Sequence, residues 1–137
     1  MKKHSETKRS RRFVSLKRVL FYGILSCLVL AVIMFVTVCF SIRSAVKQMS
    51  AEATKEYPGD RVKALIAYVS SESHSLKKRN RAAWALGQIG DKSALAVLES
   101  FYTDGDCDHE KHLCQHELKK AIDLCKGGLN LTAWLRR

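Results

Sequence analysis

The side chains best suited to metal or redox chemistry are concentrated in one short stretch of this 137-residue chain, CDHEKHLCQH at residues 107–116. The stretch holds two of the five cysteines and three of the five histidines. Cysteine and histidine are the usual protein ligands of zinc, whereas two neighbouring cysteines can instead form a disulfide bond. The choice depends on the compartment, because disulfides persist mainly outside the cytoplasm.

A zinc site would draw its ligands from five candidates: Cys107, His109, His112, Cys114 and His116. Their spacing gives little support, because the stretch contains no C-x-x-C pair. On a helix, local ligands need a separation of three or four residues, and only the pairs His109–His112 and His112–His116 satisfy this condition. Metal binding therefore remains the alternative interpretation of the cluster, beside solvent-facing histidines.

The disulfide interpretation pairs Cys107 with Cys114. Cys114 and Cys125 are predicted to lie on one helix, where eleven residues correspond to roughly 16 Å, too far for a disulfide. Cys107 lies in the preceding loop and can fold back onto Cys114, closing an eight-residue loop worth about 2–3 kcal/mol. We predict this disulfide, with Cys125 as an ordinary buried thiol and no bound cofactor.

A long apolar segment determines where this chemistry takes place. Residues 19–42, VLFYGILSCLVLAVIMFVTVCFSI, contain no charge and no proline. As a helix they would span roughly 36 Å, enough to cross a hydrocarbon core of about 30 Å with some tilt. The segment lacks the polar stripe of a soluble helix, so we predict a single membrane-spanning helix.

The basic residues predict the orientation of that helix. Residues 1–18 contain eight lysines and arginines, whereas only Arg43, Lys47 and Lys55 follow within about fifteen residues. The positive-inside rule places the N-terminus in the cytoplasm and residues 43–137 outside it, as expected for a protein of a bacterial inner membrane facing the periplasm. The basic block directly precedes the span, so we interpret it as an orientation signal and predict no nucleic-acid partner.

Processing and orientation leave two alternatives to this topology. The apolar core is too long for a cleaved signal peptide, which favours an uncleaved signal anchor. A reversed anchor, with the remainder of the chain in the cytoplasm, predicts reduced cysteines throughout. We divide the chain into a basic tail (1–18), the span (19–42), a juxtamembrane linker (43–59) and a helical domain (60–137).

The helical domain is predicted from its apolar periodicity and caps. Pro58 and Gly59 mark a turn, and Asp60 is positioned to cap a helix whose apolar residues follow at positions 62, 65, 66 and 69. A polar turn, SSESHS at residues 70–75, is predicted to be a solvated loop and separates it from a second helix at about 76–89. A third helix has inward residues at 94–101, and a fourth runs from about 110 to 126. No segment alternates with period two, so the fold class is all-α.

The second helix carries two informative glycines. Gly90 suits the left-handed position that ends the helix, and Asp91 can cap the helix that follows. Gly87 lies inside the helix, where glycine costs roughly 1 kcal/mol relative to alanine. We expect the close approach of a neighbouring helix to offset this cost.

Residues 79–102, RNRAAWALGQIGDKSALAVLESFY, resemble a HEAT-like α-solenoid unit of the short kind named after phycobilin lyases. The resemblance is carried by Arg81, by Ala82 and Ala83, by ALGQIGD at residues 85–91, and by Ala94, Leu95 and Leu98. It implies a small α-α superhelix that binds a protein partner as an interaction scaffold. Some relatives are cofactor lyases or isomerases, but this chain has too few repeats for the deep groove that such activity would need, so we predict that it is not an enzyme. No phosphate loop, dinucleotide fingerprint or nucleophile–base constellation occurs in the sequence. A metal- or redox-active envelope domain using residues 107–116 is the alternative function.

Overall fold

The computed structural model describes residues 3–108 and 110–130, with side chains from residue 17 onward, and this part is helical with no strand. The predicted all-α fold class is confirmed. The helices are α1 (Lys3–Glu56), α2 (Arg61–Ser70), α3 (Leu76–Ile89), α4 (Leu95–Ser100) and α5 (Gln115–Cys125), with a 3-10 turn at Lys92–Ala94 before α4. The chain divides into two compact units, Met1–Val38 and Cys39–Arg137.

The first unit consists of the greater part of α1. From Lys17 to Glu56 this helix is long and apolar enough to cross a membrane by its length and composition. Within the described part of the chain, none of its 18-residue apolar window is buried. The predicted apolar span at residues 19–42 is therefore one continuous helix with an exposed apolar surface.

The second unit begins with the last turns of α1, most of which lie in the segment predicted as a juxtamembrane linker (43–59). The helix continues to Glu56, and Met49 and Ala53 are fully buried in the hydrophobic core. Residues 49 and 53 follow one another by one helical turn, so both side chains lie on the same face of α1. Residues 43–56 thus contribute packing to the helical domain that follows.

The boundaries of α2 and α3 follow from their caps. The Asp60 carboxylate accepts a hydrogen bond from the Val62 backbone N–H at 3.1 Å, and Asp91 caps the 3-10 turn by accepting from the Ser93 N–H at 2.9 Å. Gly90 has a φ of 70° and ends α3, with its N–H donating to the Leu86 carbonyl. The predicted caps at residues 60, 90 and 91 are confirmed, and α3 has the predicted bounds.

Helices α3 and α5 pack side by side and run parallel. Asn80 contacts Cys114, Gly87 contacts Ala121 and Gly90 contacts Leu124, in the same order along both helices. Each pair is 34 residues apart, so one helix repeats the other at a fixed step. A Cβ on Gly87 would lie 2.6 Å from the Ala121 Cα, which confirms the predicted close helix–helix approach.

Three predictions about the domain need correction. Helix α5 begins at Gln115 and not near Glu110, so Cys114 is its N-cap residue. Ala94, predicted as an inward residue of the third helix, is buried but lies in the 3-10 turn at residues 92–94 that precedes this helix. The SSESHS turn is not simply solvated, because the His74 ring stacks on the buried Tyr68 ring at 3.7 Å and its side chain is only 10% exposed.

Candidate functional site

The candidate site is the loop between α4 and α5, which returns the chain to the start of α5. The buried side chain of Gln115 fastens this loop at both ends. Its amide oxygen accepts a hydrogen bond from the Thr103 N–H at 2.7 Å, and its amide nitrogen donates to the carbonyls of Phe101 and Leu113. The first and last residues of the loop are thereby held against the first turn of α5.

The two predicted disulfide partners lie together at this position. The Sγ atoms of Cys107 and Cys114 are 2.8 Å apart. A disulfide requires about 2.05 Å between the sulfur atoms, so a small side-chain movement would bring them to bonding distance. The loop places the sulfurs together, and the bond itself stays a prediction.

Cys107 is the exposed member of the pair. Its sulfur accepts a hydrogen bond from the His116 backbone N–H at 3.3 Å, in the first turn of α5. Hydrogen bonds from the Cys114 thiol and from the His116 N–H lower the pKa of Cys107, while the Asp106 carboxylate opposes them weakly. A thiolate is stabilised at a helix N-terminus by the orientation of the free N–H groups.

Cys114 has the opposite environment. It is the N-cap of α5 and is 6% exposed, and its backbone N–H donates to the Asn80 side-chain oxygen on α3 at 2.9 Å. Burial raises the pKa of the Cys114 thiol, and the hydrogen bond with Cys107 acts in the same direction. The site therefore pairs one accessible sulfur with one shielded sulfur.

The candidate metal ligands are distributed less favourably. In the part of the chain that the structure describes, no group of three histidine, cysteine or acidic residues is arranged to hold a metal ion. His109 lies outside the described residues. His112 is exposed and borders a shallow pocket of about 190 Å³ with Leu76 and Arg79, and His116 contributes its backbone N–H to Cys107.

Cys125 is separate from the pair. It is 1% exposed within the core, and its thiol donates to the Leu86 carbonyl at 3.7 Å. Burial raises the pKa of this thiol to about 11, so it stays protonated at neutral pH. The prediction of an ordinary buried thiol is confirmed.

Two residues that hold the site were not found by sequence reasoning. Asn80 belongs to the basic run KKRNR at residues 77–81, a pattern typical of a solvated helix face. Its side-chain oxygen nevertheless accepts a hydrogen bond from the Cys114 N–H. Gln115 resembles any polar residue near a helix start, yet it is 5% exposed and fastens the loop. An asparagine among helix-forming cations was the one available signal, because asparagine prefers to hydrogen-bond backbone groups.

Residues 78–104, which include most of α3 and all of α4, match the family model described as PBS lyase HEAT-like repeat. This agrees with the resemblance carried by residues 79–102 and identifies that segment as a helical repeat unit. Helix α5 lies outside the matched segment and packs against α3 and α4. Neither the curated proteins nor the solved structures contain a match to this chain.

Proposed function

We propose that this chain is a single-pass membrane protein that holds a small HEAT-like helical module outside the cytoplasm, where the module binds a protein partner without catalysing a reaction. Helical repeat units stack into surfaces that suit protein recognition. The module is small for a solenoid, which normally needs at least three repeats to be stable alone. Three features stabilise this small module in our proposal: membrane attachment, the packing of residues 49 and 53, and the cysteine pair.

The proposal of a membrane anchor is supported mainly by the exposed apolar surface of α1. Every large apolar side chain between residues 19 and 40 is 45–72% exposed. A continuous apolar surface of this extent is not tolerated in water but is the surface that a bilayer solvates. The surplus of lysine and arginine in residues 1–18 supports a cytoplasmic N-terminus.

The partner surface that we propose is the exposed face of α5. Helix α5 buries one side against α3 and α4, and the opposite side presents four exposed polar residues at helical spacing: His116, Lys119, Lys120 and Asp123. In a solenoid this is the side on which the next element would stack. A partner helix bound there would continue the array.

The topology is tested with reporter fusions in a bacterial host. Alkaline phosphatase, which is active only outside the cytoplasm, is fused after Arg137, and green fluorescent protein is fused at the same point in a second strain. We expect phosphatase activity with little fluorescence. The matched control fuses each reporter after Arg18, without the span, and should give the reverse. Fluorescence without phosphatase activity in the Arg137 fusion would reject the extracytoplasmic placement.

The partner surface is tested by site-specific photo-crosslinking in membranes. A photoreactive amino acid replaces Lys119 on α5 in one strain and Lys63, an exposed residue of α2, in the control strain. We expect a discrete crosslinked product of one size at position 119 that is absent at position 63. Equal labelling at both positions, or none at either, would contradict a partner on α5.

A further inference from the structure

We propose that Cys107 is a site of thiol–disulfide exchange with low-molecular-weight disulfides, and that Cys114 is the resolving thiol that completes the reaction. This activity concerns how the cysteine pair becomes oxidised and is independent of which partner the module binds. It follows from three features of the loop: the exposure of each sulfur, the distance between the sulfurs and the backbone donor at α5.

Access selects the sulfur that reacts first. Cys107 is exposed, whereas Cys114 is 6% exposed and Cys125 is 1% exposed. An attacking thiolate and the disulfide sulfur it attacks must come into direct contact, so a reagent from solution meets Cys107 before the other two. The His116 N–H at 3.3 Å favours the thiolate form of Cys107, and the lowered pKa of this thiol agrees with that role.

The oxidation proceeds in two exchange steps. The Cys107 thiolate attacks one sulfur of a disulfide RSSR, forming a bond between the Cys107 sulfur and RS and releasing RS⁻. The Cys114 thiol then gives its proton to solvent or to the released RS⁻, and its sulfur attacks the Cys107 sulfur. The bond between Cys107 and RS breaks with its electron pair on the second RS⁻. In total the protein dithiol loses two electrons and two protons, one of them when Cys107 ionises, and RSSR is reduced to two RSH.

The second step needs no large rearrangement. The two protein sulfurs are already 2.8 Å apart, so the resolving thiol lies beside the mixed disulfide as it forms. Cys114 is fixed through its backbone to Asn80 on α3, and the loop carrying Cys107 is fixed by Gln115. This preorganisation predicts that the mixed disulfide is short-lived in the wild-type chain.

The same asymmetry resists the reverse reaction. A reducing thiolate reaches only Cys107, and its attack there must expel Cys114, whose thiol has a raised pKa and is therefore the poorer leaving group. Attack at Cys114 would expel the better leaving group, but that sulfur is shielded. Burial of Cys114 thus restricts reduction by external thiols to attack at Cys107.

The test uses the full chain, purified in detergent and reduced, with glutathione disulfide as the probe and mass spectrometry with peptide mapping as the readout. Cys114→Ser should accumulate one glutathione on Cys107, because the resolving thiol is gone. Cys107→Ser should acquire glutathione on Cys114 at about one tenth of the rate at which Cys114→Ser acquires it on Cys107, or more slowly still. The wild type should form the intramolecular disulfide with little mixed disulfide. Cys125→Ser is the matched control and should behave as the wild type.

A separate measurement guards against misfolding of the variants. Alkylation of the reduced wild-type chain by iodoacetamide, quenched at short times, should label Cys107 well before Cys114 and Cys125. Equal labelling of Cys107 and Cys114, or equal glutathione uptake by the two serine variants, would overturn the assignment. Both readouts are made on purified protein, so failure of the proposed topology or partner would not affect them.

Discussion

Helix α3 has two flanks that are built in different ways. Towards α5 the contact is close, with the Gly87 backbone lying against Ala121 and the Cys125 thiol donating to the Leu86 carbonyl. Towards α1 the contact at the surface is made by long polar side chains. Lys78 forms an ion pair with Glu52 at 2.9 Å, and Arg81 donates to Gln48 at 3.0 Å.

The difference shows which parts of this fold depend on shape and which on polar pairing. The α5 flank leaves no room for an added carbon at Gly87, so the stability of this contact depends on how closely the backbones of α3 and α5 approach each other. On the α1 flank, Glu52 also accepts a hydrogen bond from the Tyr68 hydroxyl at 3.0 Å, which joins α1, α2 and α3 through one carboxylate. Substitutions on the first flank should therefore cost more than those on the second.

The largest effect is expected for Gly87→Ala. Without steric conflict the change would stabilise the helix by roughly 1 kcal/mol, because alanine is the better helix former. The new Cβ would lie 2.6 Å from the Ala121 Cα, and we expect a net loss of about 3 kcal/mol in the free energy of unfolding. Urea denaturation of the purified protein measures it. Gly105→Ala, whose Cβ meets only the Thr103 hydroxyl at 3.5 Å, is the control, and a stabilised Gly87→Ala would refute the close packing.

The cysteine pair adds to the α5 flank because it fastens the entrance of that helix. Oxidation closes an eight-residue loop, and we expect the oxidised chain to be about 2–3 kcal/mol more stable than the reduced chain. Thermal unfolding with and without reductant measures the difference. Cys107→Ser should unfold at the same temperature in both conditions, and a reductant effect that survives in this variant would contradict the pairing of Cys107 with Cys114.

A smaller effect is expected for Tyr68→Phe on the α1 flank. The ring is fully buried, and its hydroxyl donates to the Glu52 carboxylate. Loss of this one hydrogen bond to a charged group should cost about 1.5 kcal/mol in the free energy of unfolding. Tyr102→Phe is the matched control, because that hydroxyl bonds Asp104 at the exposed surface. An equal loss of unfolding free energy in the two variants would show that burial of the Tyr68 hydrogen bond adds nothing to the stability of the domain.

The smallest effect concerns pH. Hydrogen bonds from Lys78 and then from Tyr68 lower the pKa of Glu52 below its ordinary value of 4.5. A carboxyl whose pKa is lower in the folded state stabilises that state above the unfolded pKa and loses this contribution as the pH falls through the folded pKa. The stability difference between the wild type and Glu52→Gln should be constant from pH 7 to about 5 and shrink below about 4.5. Denaturation curves across this range measure it, and a difference that grows in acid would contradict the assignment.

The α5 flank could largely be predicted from the sequence, whereas the α1 flank could not. Gly87, Gly90 and Asp91 each have a local physical reason for their position, and that reason is visible in neighbouring residues. Lys78 and Glu52 are 26 residues apart, and nothing in either residue identifies its partner. Long side chains reach many acceptors, so their pairing is decided only by the folded packing.

The start of α5 could not be predicted for a related reason. Residues 110–114 have the composition of a helix, but the Cys114 N–H is taken by Asn80, a residue 34 positions earlier. With that donor occupied outside the helix, the first helical residue is Gln115. The proximity of the two sulfurs was predictable from their spacing, whereas the opposite exposure of the two thiols required the structure.

The constant 34-residue offset between α3 and α5 has a consequence for the size of the molecule. Residues 92–125 form a block of that same length, beginning at the turn after Asp91 and ending with α5. A second copy of the block, inserted after Cys125, would place its own final helix beside α5 at the same step. The helical domain could then be lengthened by one block at a time, with α1 left unchanged.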